Sequence, residues 1–169
     1  MSHHHHEKKV SVNCFVVTIS DTRELATDKS GDFIELYVTE HGHKVVERRI
    51  IEDETDQITK VVEEGADRDD VDVVLMTGGT GISKRDVTIE TVEELFAKEI
   101  TGFGELFRML SYTEDIGSAA IMSRATAGVV EDTAVFAMPG SSGAVKLAME
   151  KLILPELAHI YFELRKHEE

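Results

Sequence analysis

A single cysteine stands among the 169 residues, so an internal disulfide is excluded. Cys14 lies inside the apolar stretch VNCFVVTI and reads as a small buried core residue, not a reactive thiol. Basic residues are scarce: 18 lysines and arginines stand against 33 aspartates and glutamates, a net charge of −15. That shortage disfavours nucleic acid as the main partner, and none is expected, because neutralising phosphates takes lysine and arginine. It disfavours an anionic membrane surface as well, and its plain consequence is solubility. No run approaches the roughly 18 apolar residues of a membrane span, and no secretion signal is visible, so a cytoplasmic location is expected. Only two prolines occur, Pro139 and Pro155, and there is neither a low-complexity linker nor a repeat. The length suits one domain. Residues 1–9, with the stretch MSHHHH, read as a flexible tail, tag remnant or native, in which His3 to His6 are given no functional metal.

What is present is an alternation of strand and helix patterns. Residues 10–19, 43–51 and 71–77 read as strands, the last buried on both faces by its unbroken apolar run. Residues 28–42 read as a helix with Phe33, Leu36 and Tyr37 at helical spacing and Gly42 as its stop. Residues 55–66 and 88–100 read as helices opening on the caps Thr55 and Thr88. Residues 102–125 read as two shorter helical pieces, 127–140 as strand, turn, strand, and 143–167 as a helix broken near Pro155. The order predicts a single α/β domain over 10–167: three layers, a mostly parallel sheet with helices on both faces. Ligands of such sheets bind beyond the carboxyl ends of the strands. Four loops therefore matter: 20–22, 52–55, 78–86 and 139–143.

The loop GGTGISKRD (78–86) fails the two familiar phosphate patterns. A P-loop needs glycine before its lysine, and Ser83 precedes Lys84. A dinucleotide fingerprint needs a third glycine where Lys84 stands. Gly78, Gly79 and Gly81 still permit positive φ and close backbone approach. Backbone N–H groups there, with the hydroxyls of Thr77 and Thr80, can cradle an anion.

Asp21, Asp53 and Asp86 fall in three successive strand-end loops. Carboxylates brought to one place call for a cation, and Mg²⁺ suits one or two of them with water and substrate phosphates. The competing reading is three independent turn or helix-start residues. Pro139, Gly140, Ser141 and Ser142 precede a helix whose N–H groups either take an anion or are capped by serine. Arg124, next to Ser123, faces an even choice between a phosphate and a structural carboxylate. Glu105 reads as a first-turn residue favourable to the helix dipole, and His159 as a partly buried helix residue.

The ordered set TISDT, TGGTGISKRDVT, GFGELFR, SRA and MPGSSGAV resembles the MoaB/Mog family of molybdenum cofactor biosynthesis and is similar to the gephyrin G domain. The likeness spans about residues 10 to 167. Lys84, Ile89 and Ser142 stand where other members read proline, which points to the MoaB branch. The resemblance implies the molybdopterin-binding fold, assembled as a homotrimer or a dimer of trimers. It implies a reaction in which Mg²⁺-ATP adenylylates molybdopterin and releases pyrophosphate, with later hand-over to the molybdate-inserting enzyme. Asp53 and Asp86 would serve magnesium and catalysis. Ser20, Asp21, Thr77, Gly78, Gly79, Thr80, Gly81, Glu105, Ser123, Arg124, Pro139, Gly140, Ser141 and Ser142 would contact nucleotide or pterin. The alternative from another class is a non-catalytic molybdopterin-binding or carrier protein.

Overall fold

Strand β1 (Asn13–Ile19) is the hub of a six-stranded sheet in the computed structural model, which describes residues 9–168. The expectations about His3 to His6 lie outside the described residues. β1 pairs in parallel with β2 (Lys44–Ile51) on one side and β3 (Val73–Thr77) on the other. β3 pairs in parallel with β6 (Thr133–Met138). β5 (Thr126–Val130) and the short β4 (Lys98–Glu99) complete the sheet antiparallel, giving the order β2-β1-β3-β6-β5-β4.

The β-branched strands bury both faces, as a parallel sheet under helices requires. Alternate residues diverge: Cys14, Val16, Leu75 and Phe136 enter one core, and Phe15, Val17, Val74 and Val135 the other. The first core is covered by α1 (Lys29–Glu40), α4 (Thr101–Glu114), α5 (Ser142–Ala148) and α6 (Leu154–Leu164); the second by α2 (Thr55–Asp67) and α3 (Thr88–Leu95). The expected three-layer α/β architecture is therefore what forms. Cys14 is fully buried, and burial pushes its thiol up to about 12, so it is an inert core residue.

Several local expectations are corrected. The helix expected over 88–100 stops at Leu95, because residues 97–100 pair with β5 instead: Ala97 N–H donates to the Val129 carbonyl and Ile100 N–H to that of Ala127, each at 2.8 Å. Helix α1 turns Gly31, Ile34 and Val38 inward, while Phe33 and Leu36 stay largely exposed. Its cap is Asp28, whose carboxylate accepts Gly31 N–H at 3.0 Å, and Gly42 ends it at φ +80°. Thr55 and Thr88 are first helical residues, one place past the caps Glu54 and Val87. Residues 102–125 do form two pieces, α4 and a 3-10 segment over Gly117–Met122. Near Pro155 the helix continues instead of breaking. A π turn over Met149–Ile153 joins α5 to α6, and Pro155 sits at the start of α6, just past that widened turn. His159 is exposed and pairs with Glu156 and Glu163, where partial burial was expected.

Candidate active site

β1, β2, β3 and β6 run the same way, so the loops that follow them meet at one sheet edge. The loops after β3 and β6 border a cavity of about 480 Å³ there, within the usual range for small-molecule sites, whereas the loops after β1 and β2 do not line it. The loop after β3 (Gly78 to Gly81), Asp86, Ser123, Arg124 and the loop Pro139 to Ser141 all line it. Most of the predicted binding residues thus come together from three separate chain segments.

The glycine loop is held by its neighbours. Gly78 N–H donates to the Met138 carbonyl at 3.0 Å, and the Thr77 hydroxyl donates to the Pro139 carbonyl at 3.0 Å. Thr77 is fully buried, so its hydroxyl welds two loops together and does not face the cavity. Gly78 and Gly79 have φ +99° and +68°, values that penalise any side chain. A Cβ on Gly79 would also stand 2.2 Å from Thr88 Oγ1 and 3.0 Å from both Asp53 oxygens.

Arg124 resolves the even choice left by the sequence. Its Nε donates to the Thr80 carbonyl at 3.0 Å, its Nη2 to the Gly81 carbonyl at 2.6 Å, and it pairs with Glu90. That pairing holds the Glu90 carboxyl below the ordinary range. In a trans peptide the N–H points opposite the carbonyl. Turning the carbonyls of residues 80 and 81 toward Arg124 therefore turns the N–H groups of residues 81 and 82 away from it.

The three aspartates converge, and their environments differ. Asp21 Oδ1 accepts the Asp53 backbone N–H at 3.1 Å. Both Asp21 oxygens are bonded by Arg85, which holds that carboxyl below the ordinary range, and Arg85 also reaches Glu54 at 2.9 Å. Asp53 is only 7% exposed beneath Gly79, with the Val87 N–H on its Oδ1 at 3.3 Å. Burial raises its pKa foremost; the Val87 N–H opposes that, and the charges of Asp86 and Asp21 add to it. Asp86 Oδ2 takes the Ser83 hydroxyl at 2.6 Å and its N–H at 3.2 Å. Among the described ion pairs, neither Asp53 nor Asp86 has a cationic partner, whereas Asp21 does. Neither side chain caps a helix: α2 is capped by Glu54 and α3 by Val87.

Mg²⁺ asks for one or two carboxylates, and Asp53 and Asp86, without a direct ion-pair partner among the described residues, are the two that would hold it. Among the described residues no group of three or more His, Cys, Asp or Glu could hold a metal, so an ion here would depend on two carboxylates with water and substrate oxygens. The buried Thr88 Oγ1 beside Asp53 has no hydrogen-bond partner, an orphaned polar atom of the sort that marks an incomplete site.

Some predicted residues stand apart. Ser20 accepts the N–H groups of Thr22 and Arg23 at 3.3 and 3.1 Å and lies in a neighbouring groove with Arg23 and Arg48. Glu105 is exposed on α4, past its first turn and away from the cavity lining. Ser141 caps α5 by accepting Ala144 N–H at 3.3 Å, and Ser142 is the exposed first residue of that helix. Sequence reasoning missed Ser111, Asp115, Ile116 and Met122, which wall the cavity from α4, the 3-10 segment and the link between them. Nothing in their spacing announces this role. Arg85 was legible only as the neighbour of Asp86.

A mostly parallel sheet with a glycine loop, acids and a cavity at its carboxyl edge has the layout of a small-molecule-binding α/β protein. Residues 15–159 match the family model described as a probable molybdopterin binding domain. The chain belongs to this MoaB/Mog family. It is 58% identical over 163 residues to Molybdenum cofactor biosynthesis protein B of Bacillus subtilis (strain 168), covering 96% of both chains. A crystal structure of a Molybdenum cofactor biosynthesis protein B superposes with a TM-score of 0.91 at 58% identity, over 95% of this chain and 98% of that one. The tungsten cofactor synthesizing protein MoaB from Pyrococcus furiosus matches with a TM-score of 0.81 at 38% identity, over 94% and 99% of the two chains. Among the described residues no helix is long and apolar enough to cross a membrane.

Proposed function

We propose that this protein adenylylates molybdopterin with Mg²⁺-ATP, forming adenylyl-molybdopterin and pyrophosphate as a step of molybdenum cofactor biosynthesis. The observation that carries the reading is two acids without a cationic partner among the described ion pairs: Asp86, on the wall of the cavity with the glycine loop, and Asp53, buried behind Gly79. Asp53 and Asp86 would hold Mg²⁺. When bound, the ion neutralises charge on the triphosphate oxygens and favours departure of pyrophosphate.

The chain's own groups do the rest by positioning. The N–H groups of residues 81 and 82, turned away from Arg124, would receive phosphate oxygens. Ser123 and the loop at 139–142 would bind the pterin side, against the apolar wall of Ile116 and Met122. A phosphate oxygen of molybdopterin then attacks the α-phosphorus of ATP. The new P–O bond forms as the bond to pyrophosphate breaks. Arg124, anchored to Glu90, keeps the loop carbonyls turned away from the developing negative charge.

Assembly belongs to the same proposal. Helix α4 exposes Leu106, Met109 and Tyr112 at 46%, 53% and 60%, followed by Ile116. An apolar stripe of this kind on an acidic chain supports burial against another copy, in a trimer or a dimer of trimers. The test of the reaction is direct. Purified protein given Mg²⁺-ATP and molybdopterin should release one pyrophosphate for each pterin consumed. Binding of the pterin without pyrophosphate release would leave a carrier instead of an enzyme.

A further inference from the structure

Thr88 is fully buried at the start of α3, and its N–H donates to the Gly79 carbonyl at 3.1 Å. Its hydroxyl has no partner. It does not cap the helix, and it does not bond back to the chain as Thr91 does, whose hydroxyl reaches the Val87 carbonyl at 2.7 Å. One point locates it: the place a Cβ on Gly79 would occupy lies 2.2 Å from Thr88 Oγ1 and 3.0 Å from both Asp53 oxygens. Hydroxyl and carboxylate therefore flank the space that a side chain on Gly79 would fill. Among the described residues the Asp53 carboxylate takes one N–H, from Val87, on Oδ1.

We propose that Thr88 is a positioning residue for Asp53: when a divalent cation draws the Asp53 carboxylate into place, the Thr88 hydroxyl donates to one carboxylate oxygen and leaves the other to the cation. This rests on the magnesium reading above. A buried hydroxyl without a partner weakens a fold, and a near-isosteric apolar group in its place is neutral or stabilising. A purely structural threonine at this position would therefore be improved by valine with nothing lost. A hydroxyl that completes the loaded site would be missed only when the ion is present. Charge-assisted hydrogen bonds to a metal-bound carboxylate are the kind that orient such ligands.

The experiment is a titration with Mn²⁺ alone, standing in for Mg²⁺, alongside thermal melts without and with the ion. It uses the full chain carrying no change, Thr88→Val, Thr88→Ser or Asp53→Asn. Thr88→Val should melt at or above the parent temperature without metal and bind the ion about tenfold more weakly. Thr88→Ser, which keeps the hydroxyl, should bind nearly as the parent does. Should the valine variant fold poorly, Thr88→Ala against Thr88→Ser makes the same comparison. Parent-like metal affinity in Thr88→Val, together with loss of the ion in Asp53→Asn, would overturn the role of Thr88 and leave the metal site standing. Equal affinity in the parent and Asp53→Asn, or none in either, would overturn the metal reading and this inference with it.

Discussion

Arg85 donates from Nε and Nη2 to the two oxygens of Asp21, at 2.7 and 2.9 Å, although 64 residues separate them. The pair ties the loop after β1 to the loop after β3, and Glu54 extends the tie to the loop after β2. It also sorts the acids: Asp21 and Glu54 are neutralised, Asp53 and Asp86 are not. Removing the guanidinium should make the cluster more attractive to a cation. Arg85→Ala is expected to bind Mn²⁺ a few-fold more tightly at low salt, with the gain fading as salt screens these exposed charges. Calorimetric titration at two ionic strengths checks it.

Asp53 is a charged group held where its charge is disfavoured, so it should oppose stability in the metal-free protein. Its carboxyl is raised above the ordinary value by burial. The folded state therefore binds a proton more tightly than the unfolded chain, and stability falls as pH rises through that raised value. Asp53→Asn should melt higher than the parent at pH 7 without metal. The difference should shrink as the pH is lowered through that raised value, where the parent carboxyl takes up its proton. Melting curves across that range measure this.

Much of this arrangement was legible in the sequence. Continuous β-branched runs at 10–19 and 71–77 leave little but buried parallel strands, and helices between them dictate the topology. That rule alone brought Asp21, Asp53 and Asp86 to one edge. What could not be read was set by contacts between distant segments. The end of the helix at Leu95 is fixed by pairing of residues 97–100 with β5, which overrides local helix preference. The inward stripe of α1 is Ile34 and Val38, because the packing surface of the sheet selects among several apolar residues at helical spacing. Arg124 bonds Glu90, Thr80 and Gly81 across more than 30 positions, and no spacing signal marks such a clamp.

That clamp has a measurable role. Arg124→Ala leaves the Thr80 and Gly81 carbonyls without their donors. It should cost about 1–2 kcal/mol, since hydrogen bonds to a charged group are worth somewhat more than neutral ones and this side chain is partly exposed. A fall of a few degrees in melting temperature is expected. The KM for ATP should rise as the loop loses its orientation. Lysine, lacking the fork that serves both carbonyls, should restore little.

His43 makes stability pH-dependent near neutrality. Its Nδ1 accepts the Val12 N–H at 3.0 Å, so it is neutral when folded, and burial together with nearby His41 lowers its pKa. Here the unfolded chain binds the proton more tightly. The contribution is present above the ordinary histidine value of about 6.5 and is lost as pH falls below it. Exposed His159 has the opposite sign: pairing with Glu156 raises its pKa, so its contribution is present below about 6.5 and is lost as pH climbs through the raised value. Solvent screening keeps both effects below about 1 kcal/mol. Chemical denaturation between pH 5 and 7.5 should show His43→Asn losing the acid-side decline of the parent.

Pyrophosphate release by Asp53→Asn and Asp86→Asn, with Mg²⁺-ATP and molybdopterin supplied to equally folded protein, tests the proposed reaction most directly. Loss of a charge-stabilising group typically costs about 10²-fold or more in rate, or ~3 kcal/mol. Both variants should therefore fall at least that far below the parent, while molybdopterin affinity changes little because Ser123 and the 139–142 loop remain. Near-parent turnover in both variants would contradict the assignment and return these aspartates to the role of loop residues.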